Sequence, residues 1–173
     1  MSNRFAVMRH GKIEQIGPPE EVYESPATEF VAGFLGASNL LDGELAGSQG
    51  DVTTVRLTTG QEIHMPASRV PSDIDTMVKV GVRPEKISIE LDENEPPPGA
   101  NWVSGLLRMS TYIGVSNQYK VEGPGGTELT VYVQNLGADE APAPGKKVRL
   151  TWRPEHTFVV KPSEQMSLEE EEE

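Results

Sequence analysis

Three histidines are the residues of this chain whose chemistry best suits acid–base catalysis or metal binding. His10, His64 and His156 lie far apart, and none pairs with another histidine at the spacing of metal ligands. His64 is two residues from Glu62 on the same face of a strand-like segment, which is more typical of a surface pair than of a catalytic dyad. Because the chain has no cysteine, thiolate metal sites, disulfides and cysteine nucleophiles are excluded.

The other residue patterns that carry chemistry do not make a catalytic site either. The glycine-rich segment 123–126 lacks the Lys-Ser pair and the helix that follow a phosphate-binding loop, so it predicts a hairpin turn. No serine stands in a G-x-S-x-G motif. Asp92, Glu93 and Glu95 cluster in a proline-rich loop, which does not provide the rigid spacing of paired catalytic carboxylates. The residues taken alone therefore indicate a protein that is not an enzyme.

The charge balance restricts the possible partners. The 173 residues include 15 basic and 27 acidic side chains, for a formal net charge of −12. A nucleic-acid binder needs a basic face to neutralise phosphates, so an oligonucleotide-binding function is disfavoured. The sequence contains no signal-peptide pattern at its start and no apolar run long enough to cross a bilayer, so we expect a soluble, cytoplasmic protein.

The elements that would position a site are mostly short. The chain contains 17 glycines and 14 prolines, which indicates many turns. Residues 4–16 predict a β-hairpin, and two short helices follow, the first opened by Pro18 and Pro19 and the second spanning 28–35. From residue 40 onward, short β-branched and apolar segments alternate with turn signals, which predicts a small barrel or sandwich.

One four-residue pattern occurs twice. Val82-Arg83-Pro84-Glu85 and Trp152-Arg153-Pro154-Glu155 are 70 residues apart, and each precedes a strand-like segment. Twin β subdomains with similar corners would produce this repeat, and so would chance. The proline-rich segment 92–100 is predicted to be a loop or linker between the two subdomains.

A continuous block from Val7 to Leu41 carries the most specific signal in the chain. With its Gly-Lys-Ile-Glu-Gln-Ile-Gly-Pro-Pro-Glu-Glu-Val-Tyr run at 11–23, it resembles the passage where the ATPase subunit of an ABC importer leaves its nucleotide-binding domain. The segment 81–87 resembles the Arg-Pro-Glu signature of the TOBE (transport-associated OB) domain of such subunits. Tyr112-Ile113-Gly114 and the second Arg-Pro-Glu corner also fit. The resemblance covers about residues 4–161 and is nearest to the spermidine/putrescine type, with ferric-iron and sugar importers next.

This resemblance implies a mainly β fold, namely a TOBE/OB-like β-barrel with a short N-terminal hairpin and two short helices. It divides the chain into 1–37, a remnant of the end of the ATPase domain, 38–162, the β domain, and 163–173, an acidic disordered tail. The family's Walker A, Walker B, signature and switch-histidine motifs all precede the matching region. We therefore expect no ATP hydrolysis and no cofactor, with ATP and Mg²⁺ bound only through a nucleotide-binding domain missing from this chain.

The implied function is that of the C-terminal regulatory and dimerisation region of an importer ATPase. The implied partners are a second copy, the ATPase domain and the membrane permease subunits, which would place the chain at the inner face of the cell membrane. A stand-alone TOBE protein that binds a small ligand or oxyanion is the alternative. No catalytic, cofactor-binding or metal-binding residue is expected. The family-motif positions are expected to be structural or regulatory, and they are Gly81, Arg83, Pro84, Glu85, Tyr112, Gly114, Arg153, Pro154 and Glu155.

The resemblance also makes a prediction about packing. If the sheet of the ATPase domain is missing, the hairpin at 4–16 loses its partners, so residues 1 to about 16 should be the least protected segment or be ordered only by pairing with a second copy. Its apolar residues Phe5, Val7, Met8, Ile13 and Ile16 would then lack contacts. By contrast, the second helix, whose Phe30 and Phe34 lie four residues apart on one face, should remain ordered because it can pack on the barrel.

Overall fold

The structure is a computed structural model that describes residues 3–135 and 141–162. The predicted acidic tail, 163–173, lies outside the described residues. The helices are α1 (Pro19–Glu24) and α2 (Glu29–Phe34). The strands are β1 (Phe5–Arg9), β2 (Lys12–Gly17), β3 (Asn39–Gln49), β4 (Val52–Leu57), β5 (Glu62–Pro66), β6 (Met77–Val82), β7 (Ser88–Leu91), β8 (Asn101–Tyr112), β9 (Ser116–Glu122), β10 (Glu128–Gln134), β11 (Lys147–Trp152) and β12 (Phe158–Val160).

Ten of the strands form two antiparallel sheets with the same internal order. The first sheet runs β5-β4-β3-β6-β12 and the second runs β10-β9-β8-β11-β7. Four consecutive strands build each sheet, and the fifth comes from the other half of the chain. β7 follows β6 in sequence but pairs with β11, whereas β12 follows β11 but pairs with β6. The β region is therefore a duplicated unit whose two copies exchange their last strands.

The repeated Arg-Pro-Glu pattern forms the two corners at which the chain changes sheets. Arg83 and Arg153 have nearly the same backbone angles, with φ and ψ of −74° and 143° at the first and −75° and 140° at the second. A short 3₁₀ turn follows each arginine, Pro84–Lys86 in one corner and Pro154–His156 in the other. Proline fixes its own φ near −65° and cannot extend the preceding strand's ladder, so it ends both strands at the same point. Twin subdomains thus account for the repeat.

A single apolar core lies between the two sheets. Along β5, Ile63 and Met65 are buried while Glu62 and His64 face outward, which is the alternation expected of a strand with one buried face. Side chains from both sheets meet in this core, among them Val55, Val80, Leu107, Val121 and Leu150. The mainly β, OB-like fold predicted from the sequence is confirmed. No helix in 3–135 or 141–162 is long and apolar enough to cross a membrane.

Two buried asparagines, which the sequence analysis did not single out, connect the halves. Asn39 begins β3, and its side-chain amide both accepts a hydrogen bond from the Thr130 backbone N–H and donates one to the Thr130 C=O, each at 2.7 Å. Asn101 begins β8 and makes the same pair of bonds with the backbone of His64, at 2.8 and 2.7 Å. Each asparagine therefore supplies hydrogen bonds to a backbone N–H and C=O on the edge strand of the other unit, where no neighbouring strand is available.

The N-terminal hairpin has a small core of its own, so the expectation that all its apolar residues lose their contacts is wrong in part. Val7 is buried against Val22 and Val31, with Phe5 packed beside them. The residues Met8, Ile13 and Ile16 are exposed, as that expectation requires. The helices explain the difference, because α1 and α2 cover one face of the hairpin and leave the other uncovered.

The second helix contacts the barrel through a small residue rather than through its phenylalanines. Ala32 is buried with Phe158 and Val160 of β12. The helix packs on the barrel as predicted, whereas Phe34 is largely exposed and stacks on Phe30 with ring centroids 5.9 Å apart. A small side chain at Ala32 allows the helix backbone to lie close to β12.

The proline-rich segment between the two units is tied to the second sheet. Arg149 on β11 forms an ion pair with Asp92 and donates to the C=O of Asn94. Its guanidinium lies 5.3 Å from the centre of the Trp102 ring, and Ser104 donates to Asp92 at 3.0 Å. The segment predicted as a loop or linker is thus a loop held over the outer face of the sheet.

We expect removal of either asparagine side chain to lower the stability of the protein by a similar amount. Replacing Asn39 by Ala leaves a buried N–H and a buried C=O of Thr130 unpaired, which should lower the free energy of unfolding by about 2–4 kcal/mol. Replacing Asn101 by Ala should cost a similar amount through His64. Urea unfolding measures both, with Asn94→Ala at an exposed position as the control that should stay within about 0.5 kcal/mol. An Asn39→Ala protein as stable as the control would contradict the role given to this side chain.

Candidate functional site

Arg83, the arginine of the first corner, is the most buried charged residue of the described chain. Its guanidinium donates hydrogen bonds to the C-terminal ends of both helices. The residue is only 1% exposed. Its Nη2 donates to the C=O of Tyr23 at 2.9 Å, in the last turn of α1. Its Nη1 donates to the C=O of Ala32 at 2.8 Å, in the last turn of α2. Nη1 also donates to the carbonyls of Gly36 and Ala37, at 3.3 and 3.2 Å, and to the Ser38 hydroxyl at 2.5 Å.

The position of this guanidinium has a simple electrostatic reason. The last carbonyls of a helix have no partner within the helix and carry partial negative charge. Neither α1 nor α2 has a basic residue in its last turn. Arg83 provides one cation for both helix ends, and its planar fork can reach several carbonyls at once. Burial lowers the pKa of Arg83 from its usual value, with Tyr23 and Glu85 acting in the opposite direction.

Two aromatic rings enclose the same guanidinium. The Arg83 carbon Cζ lies 4.2 Å from the centre of the Tyr23 ring and 5.6 Å from that of Phe158. Such contacts stabilise a cation that has left water. The Tyr23 hydroxyl donates a hydrogen bond to Glu85 of the same corner. Burial, and then this bond to Glu85, raise the pKa of Tyr23 to about 12.

Gly81 makes room for this arrangement. It lies in β6 opposite Phe158 of β12. A Cβ atom at Gly81 would lie only 2.0 Å from the Phe158 ring, a distance that no side chain can adopt without displacing the ring. The glycine thus allows Phe158 to lie flat across β6, where it contacts both Ala32 and the Arg83 guanidinium.

The second corner has the same backbone but a different environment. The Arg153 side chain is 77% exposed, and its only ion pair within the described residues is with Glu155 at 3.6 Å. Arg69, from the 3₁₀ turn after β5, donates instead to the C=O of Glu155 and to the C=O of Glu24. It also contacts the Ser25 hydroxyl at 3.1 Å. Arg69 was not singled out in the sequence analysis, because an isolated arginine in a loop carries no signal there.

The predicted motif positions therefore separate into three places. Gly81, Arg83, Pro84 and Glu85 meet at the helix ends, whereas Arg153, Pro154 and Glu155 form the exposed second corner. Tyr112 and Gly114 lie at the tip of the β8–β9 hairpin, where Gly114 has a positive φ of 78° that a tight turn requires. Tyr112 and its neighbours Ile113 and Val115 are exposed there.

The chemistry of the first corner is that of a structural clamp. Its guanidinium is bound to backbone carbonyls, and its one carboxylate, Glu85, accepts from Tyr23. The outward-facing His64 contacts the Thr54 hydroxyl at 3.2 Å, while Glu62 lies 3.5 Å from Arg56, so His64 and Glu62 are bonded to other residues. Within 3–135 and 141–162, no three His, Asp or Glu side chains form a cluster that could hold a metal ion.

Comparison with known proteins identifies the fold and the context of this clamp. Residues 80–160, which include both corners, match the family model of the TOBE domain. The chain is 41% identical over 160 residues to the spermidine/putrescine import ATP-binding protein PotA of Acidothermus cellulolyticus, across 91% of this chain and 41% of that protein. The protein of the same name from Thermobifida fusca is 38% identical over 161 residues, across 92% of this chain and 41% of that protein.

These matches confirm the resemblance stated from the sequence. The chain contains a TOBE domain and, over nearly all its length, is similar to the C-terminal part of ABC importer ATPase subunits. It spans about two fifths of the length of the curated relatives it matches. Among solved structures, the cytoplasmic molybdate-binding protein ModG has a TM-score of 0.57 and 18% identity, covering 72% of this chain and 96% of that one. At this identity the likeness concerns the fold alone.

Exchange of arginine for lysine at the two corners should separate their roles. Lysine keeps the charge but loses the planar fork, so Arg83→Lys leaves buried helix carbonyls unpaired and should lower the free energy of unfolding by about 2–4 kcal/mol. Arg153→Lys, at the exposed corner, should change it by less than about 0.5 kcal/mol. Denaturant titration measures both values. Equal effects at the two corners would show that Arg83 does not depend on its fork of hydrogen bonds.

The Tyr23 phenol predicts a loss of stability at alkaline pH. Its folded-state pKa of about 12 lies above the ordinary value of 10, so folding favours the neutral phenol. This contribution is complete below pH about 10 and is lost as the pH rises toward about 12. Between pH about 8 and about 11 the free energy of unfolding should therefore fall more steeply for the unchanged chain than for Tyr23→Phe. The exposed-site variant Tyr112→Phe serves as the control. Parallel curves for the unchanged chain and Tyr23→Phe would contradict the assignment.

Proposed function

We propose that this chain is the C-terminal regulatory and dimerisation region of the ATP-binding subunit of an ABC importer, with a polyamine as the cargo of the whole transporter. The observation that carries this proposal is that one continuous match includes both the hairpin–helix block and the β domain. The relatives named for spermidine/putrescine import supply the cargo. The Arg83 clamp supports the proposal because it joins the two blocks physically.

The same proposal assigns a part of the importer subunit to each segment of the chain. We assign 1–37 to the end of the ATPase domain, 38–162 to the TOBE domain and 163–173 to an acidic tail. The boundary lies between α2 and β3, and Arg83 crosses it. In this proposal Gly81, Arg83, Pro84 and Glu85 position the two blocks against each other. The exposed corner and the Tyr112–Gly114 tip remain available for regulatory contacts.

The exposed face of the N-terminal hairpin suggests where the rest of the subunit packs. Met8, Ile13 and Ile16 present an uncovered apolar surface in this chain. We assign this surface to the sheet of the ATPase domain. Self-association, contact with permease subunits and a location at the cytoplasmic face of the membrane belong to the same proposal.

Hydrolysis is assigned to the missing part of the subunit, so this chain itself should bind no nucleotide or Mg²⁺. The Arg83 guanidinium supports this division, because it is committed to backbone carbonyls and is not free to bind a phosphate. The activity of the whole subunit would depend on an ATPase domain that packs on the hairpin and is coupled through α1 and α2 to the β domain.

A chimera tests this function directly. This chain would replace the matching 41% of the Acidothermus cellulolyticus protein, and the product should hydrolyse ATP with Mg²⁺. The 173-residue chain alone should show no turnover above buffer, because we assign the elements that position the γ-phosphate to the part of the subunit outside this chain. The complete Acidothermus protein is the positive control. A folded but inactive chimera, or hydrolysis by the purified chain alone, would contradict the proposal.

A second candidate function is supported by the likeness to ModG, a cytoplasmic molybdate-binding protein. The duplicated β unit alone would then bind a small oxyanion. Calorimetric titration of the 173-residue chain with molybdate, sulfate and phosphate separates the two functions. The regulatory function predicts no heat of binding, and saturable one-to-one binding would favour the oxyanion function.

A further inference from the structure

The duplicated unit allows each surface of one half to be compared with its counterpart in the other. After the two corners, Thr157 corresponds to Ile87, Phe158 to Ser88 and Lys161 to Leu91. In the first sheet, Lys161, the residue directly after β12, forms an isolated parallel bridge with Thr28. Thr28 has an extended backbone, with φ −136° and ψ 162°. One extended residue of the chain itself therefore lies at the end of this edge.

The corresponding edge of β7 is uncovered. Asp92 lies opposite Lys147, and its N–H donates to the Lys147 C=O at 3.2 Å. Because bonded pairs alternate along antiparallel strands, Ser88 and Glu90 also bond to β11, whereas Ile89 and Leu91 point their backbone groups away from it. Within 3–135 and 141–162, no strand pairs with the outer edge of β7 or with that of β10.

A groove of about 560 Å³, here called the β7–β10 groove, lies between the edge of β7 and residues 132–134 of β10. Ile89 and Val133 supply apolar surface, and Ser88, Tyr132 and Gln134 supply polar groups. Glu85 is the only charged residue of its described lining. In a chain of net charge −12, a groove with a carboxylate and no lysine or arginine favours a cationic occupant.

We propose that the β7–β10 groove binds an extended, positively charged peptide segment of a partner protein, which adds as a strand to the outer edge of β7. The two free backbone positions at Ile89 and Leu91 supply the hydrogen bonds of this added strand. β7 has four residues, so the segment pairs over about 13 Å. The bridge between Thr28 and Lys161 gives one example of an extended residue beside the corresponding edge of the other sheet.

Of its described lining, the β7–β10 groove shares only Glu85 with the Arg83 clamp, and the proposal does not depend on the importer function. Within the described residues, no backbone hydrogen bond joins Ile89 or Leu91 to α1 or α2. A failed ATPase chimera would therefore leave the groove proposal standing, and a failed peptide experiment would leave the chimera result unaffected.

The test uses the 173-residue chain and a synthetic seven-residue peptide, acetyl-Thr-Lys-Val-Lys-Val-Lys-Thr-amide, followed by ¹⁵N NMR. We expect saturable shifts concentrated at the amides of Ile89 and Leu91 and along β10. A peptide of the same sequence with its three central amides N-methylated keeps the charge but loses the backbone donors, and it should bind at least about tenfold more weakly. Equal binding of the two peptides would overturn the proposal, as would shifts located on another surface.

A matched pair of variants tests the same edge from the side of the protein. Leu91→Pro removes an N–H on the outer edge of β7, two residues beyond Ile89 of the groove lining, and breaks no described backbone bond, so proline is tolerated there. It should weaken binding of the lysine peptide by about tenfold or more, while Leu91→Ala, which keeps the N–H, should change it by less than about threefold. Unchanged binding by a folded Leu91→Pro protein would contradict the proposal. If Leu91→Pro does not fold, the comparison of the unmodified and N-methylated peptides, each titrated into the unchanged chain, tests the proposal. Self-association of the chain through β7 would instead assign the edge to a second copy and overturn it.

Discussion

A buried guanidinium that satisfies the carbonyl ends of two helices holds the N-terminal block of this protein against its β domain. Both helices are six residues long, too short to be stable in isolation. Their stability must come from contacts at their ends and along one side. Arg83 provides the end contacts, and the Ala32–Phe158 contact provides the side. Because an arginine that loses its acceptors in a buried place is costly, the position of the helices and the position of the corner determine each other.

The duplicated architecture shows how one backbone can serve two purposes. The two corners share their angles and their sequence, yet Arg83 is enclosed and Arg153 faces solvent. The difference lies in the residue across the ladder from each corner, which is Phe158 in one sheet and Ser88 in the other. The Phe158 ring over Gly81 forms a surface on which α2 packs, whereas Ser88 at the equivalent position leaves the β7–β10 groove open. The exchange of last strands joins these two environments into one core.

Much of the fold could be predicted from the sequence, because its determinants are local. Alternating burial, turn glycines and the prolines at 18, 19 and 26 determine where strands and helices begin and end. The repeated Arg-Pro-Glu pattern predicted twin corners for the same reason. The family resemblance singled out Arg83 and Arg153 alike, but their burial depends on Phe158 and Ser88, which are distant in sequence. Asn39 and Asn101 were missed because the intervals from each to the following corner differ, which hides the repeat.

The exposure of Phe34 and the burial of Val7 show the same limit in the N-terminal block. A four-residue spacing of phenylalanines predicts a shared face but does not say which neighbour that face meets. The structure turns Ala32 to the barrel, since the backbone must approach Arg83 and Phe158 closely. Packing partners from distant segments therefore determine that Phe34 is exposed and that Val7 is buried.

Hydrogen exchange of the Arg83→Lys protein, followed by mass spectrometry under native conditions, tests the central claim most directly. If the guanidinium clamp holds the helices, the amides of α1 and α2 should exchange at least about tenfold faster than in the unchanged chain. The same amides in the Arg153→Lys protein, altered at the exposed corner, should exchange at nearly the rate of the unchanged chain. No acceleration in Arg83→Lys, or an equal acceleration in Arg153→Lys, would contradict the account.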